Sequence, residues 1–207
     1  VNISIAGDFK LIMAEVPLED CDGKEGITVN DILLKTHILY APNGAQSYQT
    51  YQTWITKMWE DESGAVGYLK NQTFCWDINE TVESGDVIDA YVYQDLFDFK
   101  DLFSYFDQRE VNVDARTPFE LTLYHLQPYG SEYKVVPVSG AQILINGETT
   151  DYTTDSEGKV TITIEKGGSY EILAKCNSVV TVPAACLVEV DSNQIKLYPP
   201  VLTQALA

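Results

Sequence analysis

Basic residues are scarce in this 207-residue chain, with 13 Lys and Arg against 31 Asp and Glu and a formal net charge of −18. A surface of that sign repels phosphate, which disfavours nucleic acid and anionic lipid heads, so no nucleic-acid partner is expected. Long apolar runs are lacking too. None approaches the roughly 20 residues of a membrane span, so no membrane insertion is expected. Histidine occurs twice, as His37 and His125. Nucleophilic catalysis needs an oriented base beside its nucleophile. His37 falls late in a helical pattern and reads as a dipole partner or packing residue. His125 follows a strand and reads as a surface residue. There is no Cys-x-x-Cys, and Gly64 and Gly67 sit among acidic residues, so neither a zinc site nor a phosphate loop is indicated. No catalytic residue, metal or cofactor is expected.

What is present is a folding chain, with a hydrophobic fraction of 45% and aromatics at 11%. Val1, Ile3 and Ile5 alternate with Asn2, Ser4 and Ala6, which predicts a strand. Gly7-Asp8 then turns into a second run, Phe9 to Val16, so a hairpin opens the chain. Thr28 can cap a helix carrying Val29, Ile32, Leu33, Thr36 and Tyr40, which Pro42 and Gly44 end. Ala45 to Thr53 reads as a loop. Strands are predicted at Trp54–Trp59, Val66–Leu69 and Val87–Tyr93. Hairpin, helix, then strands suits an α+β domain of the β-grasp kind.

From Val111 helical spacing disappears. Thr117–Tyr124, Ala141–Asn146, Lys159–Ile164, Tyr170–Cys176 and Ala185–Val190 are strand-like and separated by turn signals such as Asn146-Gly147. That pattern predicts an all-β, immunoglobulin-like sandwich. The charge changes at the same place, with net −13 over residues 1–108 and −5 over 109–207. The expected organisation is therefore a β-grasp-like domain over 1–108, a sandwich over 109–198 and a tail over 199–207 containing Pro199-Pro200. Each half is expected to melt by itself.

Three stretches, ITVNDILLKTH, ITKMWEDESGAVGYLKN and VESGDVIDAYVYQD, resemble a domain of Gram-positive surface proteins. That domain is similar to the C-terminal β-grasp domain of transcobalamin and intrinsic factor. A later stretch, VPVSGAQILINGETTDYTTDSEGKVTITIEKGGSYEILAKC, resembles bacterial immunoglobulin-like or prealbumin-like surface repeats. The tandem implies a module of a secreted or wall-attached protein. Corrinoid or other small-molecule binding by the first domain is a further implication of the resemblance.

Candidate binding residues are Trp54, Trp59, Tyr68, Phe74 and Trp76, which lie close in sequence. Flat aromatics left exposed can stack on a sugar or a flat ligand. A straight strand puts Trp54 and Trp59 on opposite faces, so one of them is expected at the surface unless a bulge intervenes. Glu60, Asp61 or Glu62 should flank the patch. Phe97, Phe99, Phe103, Tyr105 and Phe106 are expected to pack at the domain seam. Cys21, Cys75, Cys176 and Cys186 are candidate disulfide partners, expected as Cys21–Cys75 and Cys176–Cys186 because matching strand parity can bring the latter pair to one face. Asp20, Asp22 and Glu25 have oxygen-ligand spacing without a full calcium-loop pattern. Asp151, Asp155 and Glu157 read as a turn.

The sum is a non-enzymatic, monomeric binding or adhesion module, extracellular or cell-wall-attached, with a glycan, small molecule or host or cell-surface protein as partner. A purely structural spacer is the competing expectation.

Overall fold

The computed structural model describes residues 2–6, 12–23, 26–95, 101–129, 132–176, 181–182 and 184–192. The Gly7-Asp8 turn, Glu25, Phe97, Phe99 and the Pro199-Pro200 tail lie outside them. Strands dominate, and among the described residues one α-helix occurs. That helix is not long and apolar enough to cross a membrane.

The chain opens with β1 (Asn2–Ala6) and β2 (Ile12–Glu15), an antiparallel pair as expected. Helix α1 (Val29–Tyr40) follows. Thr28 caps it reciprocally, since Thr28 N–H donates to Asp31 Oδ2 at 2.9 Å while Asp31 N–H donates to Thr28 Oγ1 at 3.4 Å. The next two N–H groups are satisfied from outside the helix, Val29 by the Glu80 carbonyl and Asn30 by that of Ile78. A 3₁₀ turn (Gly44–Ser47) leads to β3 (Tyr48–Tyr51), in a stretch expected to be loop, and β3 pairs with β4 (Trp54–Met58). Then come β5 (Val66–Lys70), β6 (Thr73–Phe74) and β7 (Val87–Val92). One sheet has the order β2-β1-β7-β5-β6, with β1 and β7 parallel.

Strand β7 is buried on both faces, which explains its unbroken apolar run. Ile88 and Ala90 pack with Val29, Ile32 and Leu33 of α1 and with Ile55 and Met58 of β4. Tyr91 faces the other way and packs against the second half of the chain.

The second half contains β8 (Leu102–Phe106), β9 (Glu110–Asp114), β10 (Phe119–Tyr129), β11 (Glu132–Pro137), β12 (Gln142–Ile145), β13 (Glu148–Thr153), β14 (Lys159–Ile162), β15 (Gly168–Lys175), β16 (Thr181–Val182) and β17 (Ala184–Asp191). One sheet runs β11-β10-β8-β16, with β14 also on β10, and the other runs β13-β12-β15-β17-β9. Their inner faces share a core of Phe106, Leu121, Leu123, Ile143, Val160, Ile172 and Val188 among others. This is a two-sheet sandwich. Two expectations change. Leu102–Phe106, placed in the first unit by the 1–108 boundary, pairs with β10 and β16 in the second. Strands β9, β11 and β13 add to those expected, and all three are largely exposed edges.

The seam is a packed core. Leu69 and Tyr91 from the first half meet Phe103, Tyr105, Leu126 and Val182 from the second. Phe103 and Tyr105 therefore pack at the seam as expected, whereas Phe106 turns into the sandwich core. Gly67 makes room for this. It stands opposite Tyr91, and a Cβ on it would lie 2.4 Å from the tyrosine ring. Asp89, nearly inaccessible on β7, pairs with Arg109 across the seam at 2.5 Å.

Candidate functional site

The five candidate aromatics do not form one cluster. Trp59 is only 5% exposed and packs in the α1 core. A bulge between β3 and β4 puts Ile55 and Met58 on one buried face, and Trp59 leaves the strand at φ +62. The straight-strand argument therefore fails at the residue where the chain turns. Trp54 is 69% exposed, at the hairpin end beside its cross-strand partner Tyr51. Tyr68 is half-buried against the α1 core, on the face of β5 opposite Phe74, and burial pushes its hydroxyl up to about 12.

Phe74 and Trp76 do come together, at a place the sequence reading missed. Leu69 pairs with Phe74 across β5 and β6, which puts the Phe74 ring on the seam face. Trp76, 80% exposed, lies over it at 6.1 Å and 25°. Tyr133 of β11 meets Phe74 from the other half at 4.3 Å and 31°. These rings wall a groove of about 350 Å³ with Leu126 and Val135, and Gln72, Thr73 and Glu132 supply the polar edge. The flank is thus Glu132; Glu62 instead pairs with Lys57 at 2.9 Å, and Asp61 accepts from Ser63. Tyr133 and Val135 escaped notice because solvent reaches every side chain of their strand and its brief alternation is broken at Val136-Pro137, which leaves no sustained period.

The cysteines are all thiols. Cys176 and Cys186 do face the same core, as parity predicts. Their register differs from expectation, however. Cys186 stands opposite Ile172, and Cys176 lies four positions further along the partner strand. That offset is about 14 Å, beyond disulfide reach in this register. The Cys75 thiol donates to Glu80 Oε2 at 3.1 Å, and burial pushes its pKa up to about 12. Burial likewise pushes Cys186 up to about 12. Such thiols are poor nucleophiles at neutral pH.

Carboxylates of Asp20, Asp22 and Asp31 lie within 4.8 Å of one another. The geometry explains them as a cap. Asp31 Oδ1 accepts the N–H groups of Cys21 (2.8 Å) and Asp22 (3.1 Å), and Oδ2 accepts Thr28 N–H (2.9 Å) and Oγ1–H (2.7 Å). Those donors balance the buried charge without a cation. Asp155 is a turn residue, accepting from Glu157 and Lys159 N–H.

His125 is half-buried rather than a surface residue, with its Nδ1 sheltered and without a hydrogen-bond partner among the described residues. His37 is wholly buried. Its Nδ1 lies 2.6 Å from the Leu33 carbonyl, and its Nε2 accepts Trp59 N–H at 3.1 Å. The carbonyl takes the Nδ1 proton, so Nε2 must be unprotonated to accept. Burial lowers its pKa below the ordinary imidazole value. The unfolded chain therefore binds a proton first as pH falls. Stability should hold above about pH 6.5 and decline as pH drops through the lowered folded value. Urea midpoints measured between about pH 7 and pH 5.5 should fall for the wild type, and His37→Gln should flatten that slope.

Comparison with protein-family models gives no match, and comparison with curated proteins gives none. Neither resemblance drawn from the sequence motifs thus has a counterpart there. Among solved structures, this chain is similar to a crystal structure of Dscam1 isoform 4.44, N-terminal four Ig domains. The identity is 14% and the TM-score 0.29, over 53% of this chain and 25% of that one. Isoform 9.44 gives 12% and 0.28, over 70% and 32%. A third, titled for Dscam isoform specificity, gives 16% and 0.29, over 55% and 26%. The chain spans about a quarter to a third of the length of these structures. Likeness at that level says nothing about what this chain does.

Proposed function

We propose that this chain is a non-enzymatic recognition module of an extracellular or cell-wall-attached protein, binding its partner in the seam groove. The observation that carries this is the ring series Trp76, Phe74 and Tyr133, drawn from both halves and left open to solvent on one side. Exposed aromatics with a polar rim are the composition of a binding surface. A purely structural spacer has no use for a tryptophan 80% exposed beside a groove. The high thiol pKa values and the buried, doubly bonded His37 support a non-catalytic reading.

Two fold readings accompany this proposal. For the first half, the order β2-β1-β7-β5-β6, with a parallel central pair and a helix after the hairpin, supports a β-grasp domain. For the second, two antiparallel-rich sheets closed over one core support an immunoglobulin-like sandwich. The boundary between them is better placed ahead of Leu102 than at residue 108.

Trp76→Ala is the test. Panels of neutral glycans, a corrinoid and linear peptides are screened against the wild type and the variant. Binding of the recognised class should weaken by about 1–3 kcal/mol, with the melting temperature unchanged because the side chain is mostly in water. If every bound probe ignores the substitution, the groove is not the site.

A further inference from the structure

Strand β11 forms one wall of the groove and, among the described residues, is the last strand of its sheet. Two prolines set the phase of its ladder. Pro128 stands opposite Tyr133, and Pro137 opposite Tyr124. Proline has no N–H, so neither position can exchange both bonds of a hydrogen-bonded pair. The bond from Val138 N–H to the Leu123 carbonyl, 2.9 Å, continues the same phase. Glu132, Lys134 and Val136 therefore turn their backbone groups toward β10. Tyr133, Val135 and Pro137 turn theirs outward along the sheet edge.

Side chain and backbone thus converge. Tyr133 and Val135, 40% and 56% exposed, present their side chains to the groove and their N–H and C=O groups to its open side. Two outward amides about 7 Å apart, at two-residue strand spacing, match a polypeptide backbone. A sugar could stack on Trp76 but would leave that repeat unmatched.

We infer that the groove takes an extended segment of a positively charged partner protein, which adds to β11 as an antiparallel strand. This rests on the groove reading above and names its partner class. A net charge of −18 favours a basic partner and opposes a second copy of this chain. The register dictates the pattern. Residues of the incoming strand opposite Val135 and Tyr133 share backbone bonds with them and send their side chains toward Phe74 and Trp76, so both are apolar. The residue between them lies over Lys134 and is acidic; the next lies over Glu132 and is basic. The motif runs apolar–acidic–apolar–basic, and Pro137, lacking an N–H, limits its extension on one side.

The experiment selects linear ten-residue peptides from a random displayed library on the intact chain, then measures synthetic copies by fluorescence anisotropy. The expected winners carry apolar residues two apart with a basic residue following. N-methylation at either apolar residue should weaken binding about tenfold, and methylation of the acidic residue between them should not. Val135→Pro should cost about the same tenfold while leaving the melting temperature in place, because the ladder phase turns that N–H away from β10 and no bond to it is made among the described residues. Failure to select any peptide overturns the inference. So does a selected peptide that ignores both methylation and Val135→Pro. If such a peptide still responds to Trp76→Ala, strand addition is wrong but the groove reading survives. A peptide indifferent to Trp76→Ala removes the groove reading and the inference with it.

Discussion

Arg109→Ala should destabilise the protein by about 3 kcal/mol in urea titrations. Asp89 is 1% exposed on the strand shared by both packed faces of the first sheet, and Arg109 reaches it across the seam. Removing the guanidinium leaves a nearly inaccessible carboxylate without its cationic partner, and the desolvation of that charge is then less well compensated. The arginine side chain is itself 24% exposed, so water entering its place keeps the loss toward the lower end of the buried-pair range. A double variant, Asp89→Asn with Arg109→Met, should recover part of the loss because no charge is stranded. Equal destabilisation in single and double variants would show that packing, not charge, accounts for the effect.

Gly158→Ala should cost about 2–4 kcal/mol, from left-handed strain plus overpacking. Gly158 has φ +76, and a Cβ there would lie 2.6 Å from the Leu123 carbonyl and 3.0 Å from Pro137 Cβ. The place is structurally exacting. Strand β10 pairs with β14 through Thr122 and with β11 from Tyr124, and Leu123 N–H bonds the Gly158 carbonyl between them. An alanine pushes on backbone, which cannot rotate away as a side chain could. Gly85→Ala is the control, with φ +95 and nothing within 4 Å of its Cβ. It should lose only the strain of the dihedral, about 1 kcal/mol. Matching losses at the two glycines, read as urea midpoints, would contradict the steric argument. Because Gly158 also abuts Pro137, its substitution should displace β11 and weaken groove binding as well.

Helix α1 was legible because its determinants are local, with Thr28 and Asp31 at one end and Pro42 and Gly44 beyond the other. The buried strands β7, β12, β14, β15 and β17 announced themselves through apolar or alternating runs. The solvated edge strands of the sandwich, β9, β11 and β13, did not. In β11 solvent reaches nearly every side chain, so burial leaves no period in the sequence. That is why half of the groove, Phe74 and Trp76, could be named in advance and the other half, Tyr133 and Val135, could not. Trp59 failed for a different reason. Its burial depends on a bulge, a positive φ and a bond to His37, which lies 22 positions earlier. Cys176 and Cys186 show the same divide, since parity fixes the face a residue points to while register depends on the pairing of whole strands.

The parallel pairs carry a consequence for how this chain comes to be folded. Strands β16 and β17, late in the sequence, lie against β8 and β9, and the Ser104 hydroxyl bonds the Val182 carbonyl across 78 positions. Such connections give a high contact order, which places refolding in the millisecond-to-second range rather than microseconds. During synthesis, the edges of β8 and β9 that take β16 and β17 have no mate until residues 181–191 arrive. A nascent or clipped chain ending before Thr181 would expose two unpaired edges and an open apolar face, the surface on which aggregation starts.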